Sequence, residues 1–302
     1  VSESFWALIL GQTFLGISRA TYWTATQSYS SRINPAKSGT LLGRMSSSGT
    51  AGQMVGAALA GVIAEALGYG IAWAVIVGLG VAGLAGSVIL PNLPRKEALR
   101  GFKQALAPIP SLARTPSMAM AGFTAFVAST SMTMVPYLRE LGNGEATIGL
   151  VRTVGSVGSV VIGIVFGKIV ARTGQQNLYI LTLVALGLTM LLVPLAGTGL
   201  PAMVAVMFSY GSLHGILGPL YPFTAATYSS QEQRGMAMAY VGLYWAVAQV
   251  LVPAVFGVLA ATVGLKDSFW FAGAMFIAFA MSMPILFPLL TKRRQVEPEP
   301  VA

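Results

Sequence analysis

Charged side chains are scarce in this sequence, and their scarcity excludes an ordinary soluble domain. Only 9% of the 302 residues are Asp, Glu, Lys or Arg, whereas 55% are hydrophobic. Soluble domains carry about 25% charged residues, so this chain has too few to cover a surface that faces water. Its outer surface therefore has to face lipid.

Cysteine is absent, and His214 is the only histidine. The chain therefore has no disulfide framework and no thiolate nucleophile or metal ligand. No Asp or Glu lies at the centre of an apolar run, so a catalytic or metal-binding constellation cannot be assembled. A phosphate-binding loop of the G-x4-G-K-[ST] kind is also missing. We predict that the chain is not an enzyme and uses neither metal, cofactor nor ATP.

Nine apolar runs are long enough to cross about 30 Å of hydrocarbon as helices. Their many Gly, Ala and Ser residues suit close packing of helices in lipid. The sequence therefore predicts an all-α, polytopic membrane protein. The predicted spans are 5–28, 41–66, 70–90, 117–138, 146–170, 178–196, 201–227, 235–263 and 268–290.

The basic residues predict the orientation. Of the 18 Lys and Arg residues, 14 follow odd-numbered spans and so lie on one side, while Arg139 and Lys266 lie on the other. The positive-inside rule makes the basic side cytoplasmic. We predict a monomeric, multi-pass protein of the cell membrane with a cytoplasmic C-terminus. The net charge of +9 then records topology and does not indicate a nucleic-acid partner.

Two stretches of the sequence repeat each other. Residues 16–31 align with 215–230, with identities that include Gly16/Gly215 and Tyr22/Tyr221. The first span thus resembles the seventh, and the second resembles the eighth. A parallel repeat of six helices is one of the plans of secondary transporters.

The repeat and the start at Val1 predict that the first half lacks its first three spans. The expected domains are the last three helices of an N-terminal bundle at 1–90, a basic cytoplasmic loop at 91–116, a six-helix bundle at 117–291 and a tail at 292–302. A short amphipathic surface helix is expected within the loop.

Three motifs resemble those of the major facilitator superfamily. The family's antiporter motif, G-x8-G-x3-G-P-x2-G-G, matches in register along the second span, where Ala57 and Ala60 replace Pro and Gly. Residues 167–176 are similar to the cytoplasmic G-x3-D-R-x-G motif, with Ala171 in the Asp position. Residues 11–20 are similar to the R-x3-G pattern of helix four, with Gln12 in the Arg position. The matching residues are Gly43, Gly52, Gly56 and Gly61, then Gly167, Arg172 and Gly174, then Gly16.

This resemblance implies helices four to twelve of a twelve-helix transporter in which two bundles rock about a central site. The antiporter motif favours proton-coupled export of a small organic molecule, a drug or a metabolite. A metabolite facilitator or a proton symporter remains an alternative. A non-transporting membrane receptor or scaffold is an alternative of another class.

Several residues inside the spans are candidates for transport, because polar groups in a membrane need a function or a partner. Arg19 and Gln12 share a helix face and could line a central cavity, as could aromatic side chains with polar tips. His214, Glu65 and Arg152 are candidates for proton coupling, and three prolines are candidates for helix bends. Structural roles are the alternative for each. The cavity candidates are Gln12, Arg19, Tyr22, His214, Tyr221, Tyr244 and Trp245, and the prolines are Pro219, Pro222 and Pro253.

Overall fold

The computed structural model describes residues 5–91, 134–197, 199–229 and 234–291, and within them it contains helices and no strand. Nine α-helices correspond in order to the nine predicted spans, so the prediction of an all-α, polytopic fold is confirmed. The fourth described helix overlaps the predicted span 117–138 only from Met134 onward. The helices are α1 Phe5–Ile33, α2 Ser38–Leu67, α3 Tyr69–Ser87, α4 Met134–Glu140, α5 Glu145–Thr173, α6 Gln175–Ala196, α7 Leu200–Thr227, α8 Arg234–Val263 and α9 Leu265–Thr291.

By length and apolar composition, six of the helices in the described part of the chain can cross a membrane. Most of the helices run a few residues past the predicted spans, because hydropathy marks the hydrocarbon-crossing part and the helix continues into the interface. α3 instead ends at Ser87, before the predicted end at 90. The surface helix predicted within 91–116 and the tail from 292 lie outside the described residues.

Local sequence explains where the helices at one end of the molecule stop. After α1, the Asn34 side chain accepts a hydrogen bond from the Lys37 backbone N–H at 3.2 Å, and Pro35 begins a single 3-10 turn, Pro35–Lys37. Proline disfavours a helical residue before it, so α1 ends there. Between α5 and α6, Gly174 adopts a φ of 77°, a conformation that favours glycine. The chain thus reverses within a few residues at both places.

Small residues bring the helices of α5–α9 into close contact. A Cβ added at Gly211 of α7 would lie 2.6 Å from the Cα of Gly155 in α5. A Cβ added at Gly187 of α6 would lie 2.8 Å from the carbonyl oxygen of Gly273 in α9. Such packing of backbone against backbone is what small residues permit in lipid. The main core, around Phe166, Leu186 and Phe276, is built on these pairs.

Much of the remaining apolar surface is exposed. In α3 only Ala72 is buried, while Trp73 and Leu79 are 60% and 66% exposed. An exposed apolar helix face is unfavourable in water and favourable against acyl chains. The exposed faces therefore suit a lipid environment.

Candidate functional site at the basic end

The described helices before residue 92 contact the described helices after residue 133 at one end of the molecule. We call α1–α3 the first half and α4–α9 the second half. The described cations that follow odd-numbered spans all lie at this end, which we call the basic end. They are Arg32, Lys37, Arg44, Lys168, Arg172 and Arg234.

Two glycines from different motifs take part in one contact between α2 and α5. A Cβ at Gly43 would lie 2.9 Å from the Cβ of Phe166, and it would also strike the Gly163 carbonyl oxygen. A Cβ at Gly167 would lie 2.7 Å from the Cα of Thr40. The expected close packing therefore occurs at Gly43 and Gly167. Further along the same contact, the Ser47 hydroxyl donates a hydrogen bond to the Val160 carbonyl at 3.0 Å.

The other glycines of the antiporter motif behave differently. Added Cβ atoms at Gly52 and Gly56 would have no neighbour within 4 Å among the described residues. Along this motif, close packing against the described residues is therefore found at Gly43 and not at Gly52 or Gly56. The surroundings of Gly61 lie outside the described residues.

Arg234, which the sequence indicated only as an orientation marker, joins three helices at the basic end. Its Nη1 donates to the Ser31 carbonyl at 3.0 Å, and its Nη2 donates to the Ala226 carbonyl at 3.2 Å. These carbonyls lie in the last turns of α1 and α7, where helix dipoles are negative and cations are stabilised. The side chain thus connects the first half to the second.

An aromatic cluster lies next to Arg234, toward the middle of the bundle. Tyr221 of α7 stacks on Trp245 of α8, with ring centres 6.0 Å apart, and its hydroxyl lies beside the buried Gln27 of α1. Tyr244 packs against the same group, and the Tyr240 hydroxyl is buried with no hydrogen-bond partner in the described structure. The structure therefore brings together Tyr221, Tyr244 and Trp245 from the predicted cavity set.

The remaining predicted cavity and coupling residues lie apart from this cluster. Arg19 and Tyr22 are on an exposed face of α1, and Tyr22 makes an edge-to-face ring contact with Trp23 at 5.7 Å. His214 is half-buried in α7 beside Tyr210, with ring centres 5.6 Å apart. Arg152 is exposed on α5. The side chains of Gln12, Glu65 and Glu145 lie outside the described residues.

The prolines of α7 are followed by a buried polar network. Pro219 and Pro222 are buried inside the helix, whereas Pro253 of α8 is exposed. Just beyond them, the Thr224 hydroxyl donates to the Leu220 carbonyl at 2.8 Å. The same oxygen accepts hydrogen bonds from the Tyr179 hydroxyl, at 2.9 Å, and from the Gln175 side-chain amide. The network connects the end of α7 to α6. It lies in the same helical turn as Ala226, whose carbonyl accepts a hydrogen bond from Arg234.

A cavity of about 510 Å³ opens at the basic end between the two halves. Its walls come from the α1–α2 connection, the ends of α5 and α7 and the starts of α6 and α8. Lys37, Thr40, Ala171, Gln175 and Arg234 are among its lining residues. Ala171 is the position at which the similar motif has Asp, so the wall there carries a methyl group. Arg172, in the last turn of α5, and Gly174, which joins α5 to α6, are both exposed.

Comparison with known proteins agrees with this architecture. The family model described as Major Facilitator Superfamily matches residues 1–137 and 115–302, which together cover the chain. The chain belongs to the Major Facilitator Superfamily. Its predicted resemblance to that family is thereby confirmed.

A similar solved structure is a bacterial homologue of the iron transporter ferroportin in an outward-facing state, with a TM-score of 0.56 and 18% identity. The match covers 87% of this chain and 66% of that protein, so this chain spans 66% of the length of its structural relative. At this level of identity the likeness concerns the fold.

Proposed function

We propose that the protein moves a small organic molecule across the membrane by alternating access, and that the basic end is its closed gate. The observation that carries this proposal is the distribution of contacts between the halves. They involve Gln27 and Ser31 of α1 and Gly43 and Ser47 of α2, all toward the basic end. Toward the other end α1 is exposed, as at Phe14 with 69%.

The nature of these contacts supports a gate. Hydrogen bonds to backbone carbonyls and glycine-to-backbone packing can break and re-form without exposing a large apolar core. With the basic end cytoplasmic, as the positive-inside rule predicts, the described state is open to the outside.

The aromatic cluster supports an amphipathic substrate. Tyr221, Trp245 and Tyr244 offer apolar ring faces, and the buried Tyr240 hydroxyl is a polar group that a substrate could satisfy. The cluster is in contact with the gate, because Tyr221 also pairs with Gln27. Substrate arrival and gate opening would therefore involve the same side chains.

Within this mechanism we favour proton-coupled export, because the antiporter motif lies along α2. His214, Glu65 and Arg152 are the candidates for proton coupling. A metabolite facilitator would use the same gate without proton coupling. A proton symporter would use the same gate to move its substrate in the other direction. A non-transporting receptor or scaffold has no need for a gate that opens.

The first experiment measures transport. Inside-out vesicles from cells producing the protein are given fluorescent amphipathic cations in the external medium, with and without an imposed pH gradient. We expect gradient-dependent uptake that Arg19→Ala or His214→Ala reduces while the folded protein persists. Transport that ignores the gradient would favour the facilitator, and no movement of such compounds would argue against export of this class.

The second experiment tests the gate and separates a transporter from a scaffold. Because the chain has no cysteine, the pair Ser28→Cys and Gly235→Cys can be introduced without background. A Cβ at Gly235 would lie 3.7 Å from the Ser28 Oγ, close to disulfide reach. We expect oxidation to arrest transport and reduction to restore it. The control pair, Ser28→Cys with Gly242→Cys, places the second thiol about two helical turns, roughly 10 Å, farther along α8 and should not cross-link.

A further inference from the structure

The cavity at the basic end has walls that carry positive charge from both halves of the protein. Lys37 belongs to the α1–α2 connection, and Arg234 begins α8. Its volume of about 510 Å³ falls within the range of small-molecule sites, about 300–1,000 Å³. The polar side chains of Thr40, Gln175 and Thr227 also line it. The composition of these walls suits a hydrated anion.

The positive charge around this cavity has no counterpart among the described residues. The four Asp and Glu residues within the described ranges are Glu65, Glu140, Glu145 and Asp267. They lie in the last turns of α2 and α4 and the first turns of α5 and α9, which are the ends of those helices away from the basic end. A concave site whose described lining carries charge of one sign, here Lys37 and Arg234, concentrates ions of the opposite sign.

Arg234 itself has donors left over, one of which is buried. Its two terminal nitrogens bind the Ser31 and Ala226 carbonyls, while its Nε is buried without a hydrogen-bond partner in the described structure. A guanidinium presents donors that match the oxygens of phosphate and carboxylate groups. Arg234 lines the cavity, so an oxygen of an anion bound there would be a matching acceptor for its guanidinium.

We propose that this cavity binds a phosphate-class anion, which bridges Lys37 of the first half and Arg234 of the second and so stabilises the closed basic end. The anion would take the place of a carboxylate at position 171, where this chain has Ala. An anion that contacts both halves binds the closed arrangement better than the open one, so it shifts the population toward closure. The proposal extends the gate described above but does not depend on which molecule the protein transports.

Two sources offer this chemistry. One is free inorganic phosphate or a phosphorylated metabolite, and the other is the headgroup of an anionic phospholipid in the adjacent leaflet. Basic pockets between membrane helices on the cytoplasmic side bind such headgroups. The experiment therefore has a soluble arm and a lipid arm.

In the soluble arm, the purified full chain in neutral detergent is titrated with inorganic phosphate against chloride at matched ionic strength. In the lipid arm, the chain is placed in nanodiscs of phosphatidylcholine alone or with 30% phosphatidylglycerol, about the content of an anionic leaflet. Both arms measure the thermal midpoint and the rate of cross-linking of the Ser28→Cys, Gly235→Cys pair. We expect one arm to raise both quantities.

Three variants show whether the effect comes from the cavity. Lys37→Gln should raise the anion concentration for half-maximal response at least about tenfold, which corresponds to losing one charge-assisted contact. Ala171→Asp should cross-link as fast without added anion as the unaltered pair does with it, and should no longer respond. Lys266→Gln, a cation at the opposite end, should respond as the unaltered chain does.

Each outcome decides the proposal. A response to soluble phosphate that Lys37→Gln weakens assigns the site to a free anion, and a response confined to phosphatidylglycerol nanodiscs assigns it to a headgroup. Equal effects of phosphate and chloride, or equal responses of the Lys37 and Lys266 variants, would overturn the site. If Lys37→Gln does not fold, an undiminished anion response in Ala171→Asp would overturn it instead.

Discussion

Replacing Gly43 by Ala should open the basic end without unfolding the helices. The added Cβ would lie 2.9 Å from the Phe166 Cβ and would strike the Gly163 carbonyl oxygen, so backbone has to move. Overpacking against backbone costs up to about 3 kcal/mol, and the better helix propensity of Ala returns about 1 kcal/mol. The net cost is about 2 kcal/mol, and it falls on the contact between α2 and α5.

Because that contact joins the two halves, the structure can relieve the clash by separating them. A change of about 2 kcal/mol corresponds to an about 30-fold lower ratio of closed to open molecules. The assay is a spin-label distance measurement between cysteines at two exposed positions of the basic end, Arg44 on α2 and Lys168 on α5. The short-distance population should fall and a longer one should appear.

Two matched glycine variants make this prediction specific. Gly211→Ala places a Cβ 2.6 Å from the Gly155 Cα, inside the second half. It should lower the thermal midpoint and leave the label distances unchanged. Gly52→Ala meets no atom within 4 Å among the described residues and should change neither quantity. Unchanged distances in Gly43→Ala, or an equal shift in Gly52→Ala, would refute the reasoning.

Three further substitutions test the gate and its support. Arg234→Ala removes two charge-assisted hydrogen bonds of about 1.5–3 kcal/mol each and should lengthen the same label distances. Arg234→Lys should lengthen them less. Equal label distances in the two variants would contradict a role for the forked geometry of the guanidinium. Tyr221→Phe removes the hydroxyl that lies beside the buried Gln27 and should also favour the open state, while Tyr22→Phe at an exposed ring should have no effect. Thr224→Val leaves Gln175 and Tyr179 without their shared acceptor and should lower the thermal midpoint. Thr227→Val, at an exposed site, should not lower it. Equal midpoints of the two variants would show that the network adds no stability.

The helices could be predicted because their signal is local. Each span needs enough consecutive apolar residues to cross the hydrocarbon, and that requirement is visible in α6 or α8 without any knowledge of their neighbours. Helix ends depend on caps and interface residues, so α1 continues to Ile33 although its apolar run ends near residue 28.

The gate could be predicted only in part. The sequence indicated Gly43 and Gly167 through two separate motifs, and nothing in the spacing showed that both lie in one contact between α2 and α5. Arg234 appeared to be one more basic residue of a cytoplasmic loop. Its hydrogen bonds reach the carbonyl of Ser31, which is 203 residues from Arg234 in the chain, and that of Ala226, which is 8 residues from it.

The sequence by itself determined that this protein lies in a membrane, that it is helical and which family it belongs to. Composition, span length and motif register are properties of short segments, and each segment has to satisfy the bilayer on its own. Only the tertiary structure decided which side chains meet. Tyr221, Trp245 and Gln27 come from three helices, and Lys37 and Arg234 face one cavity from two halves of the chain. Such contacts depend on how the helices pack against one another, and the periodicity of a single helix does not identify the helix that packs against it.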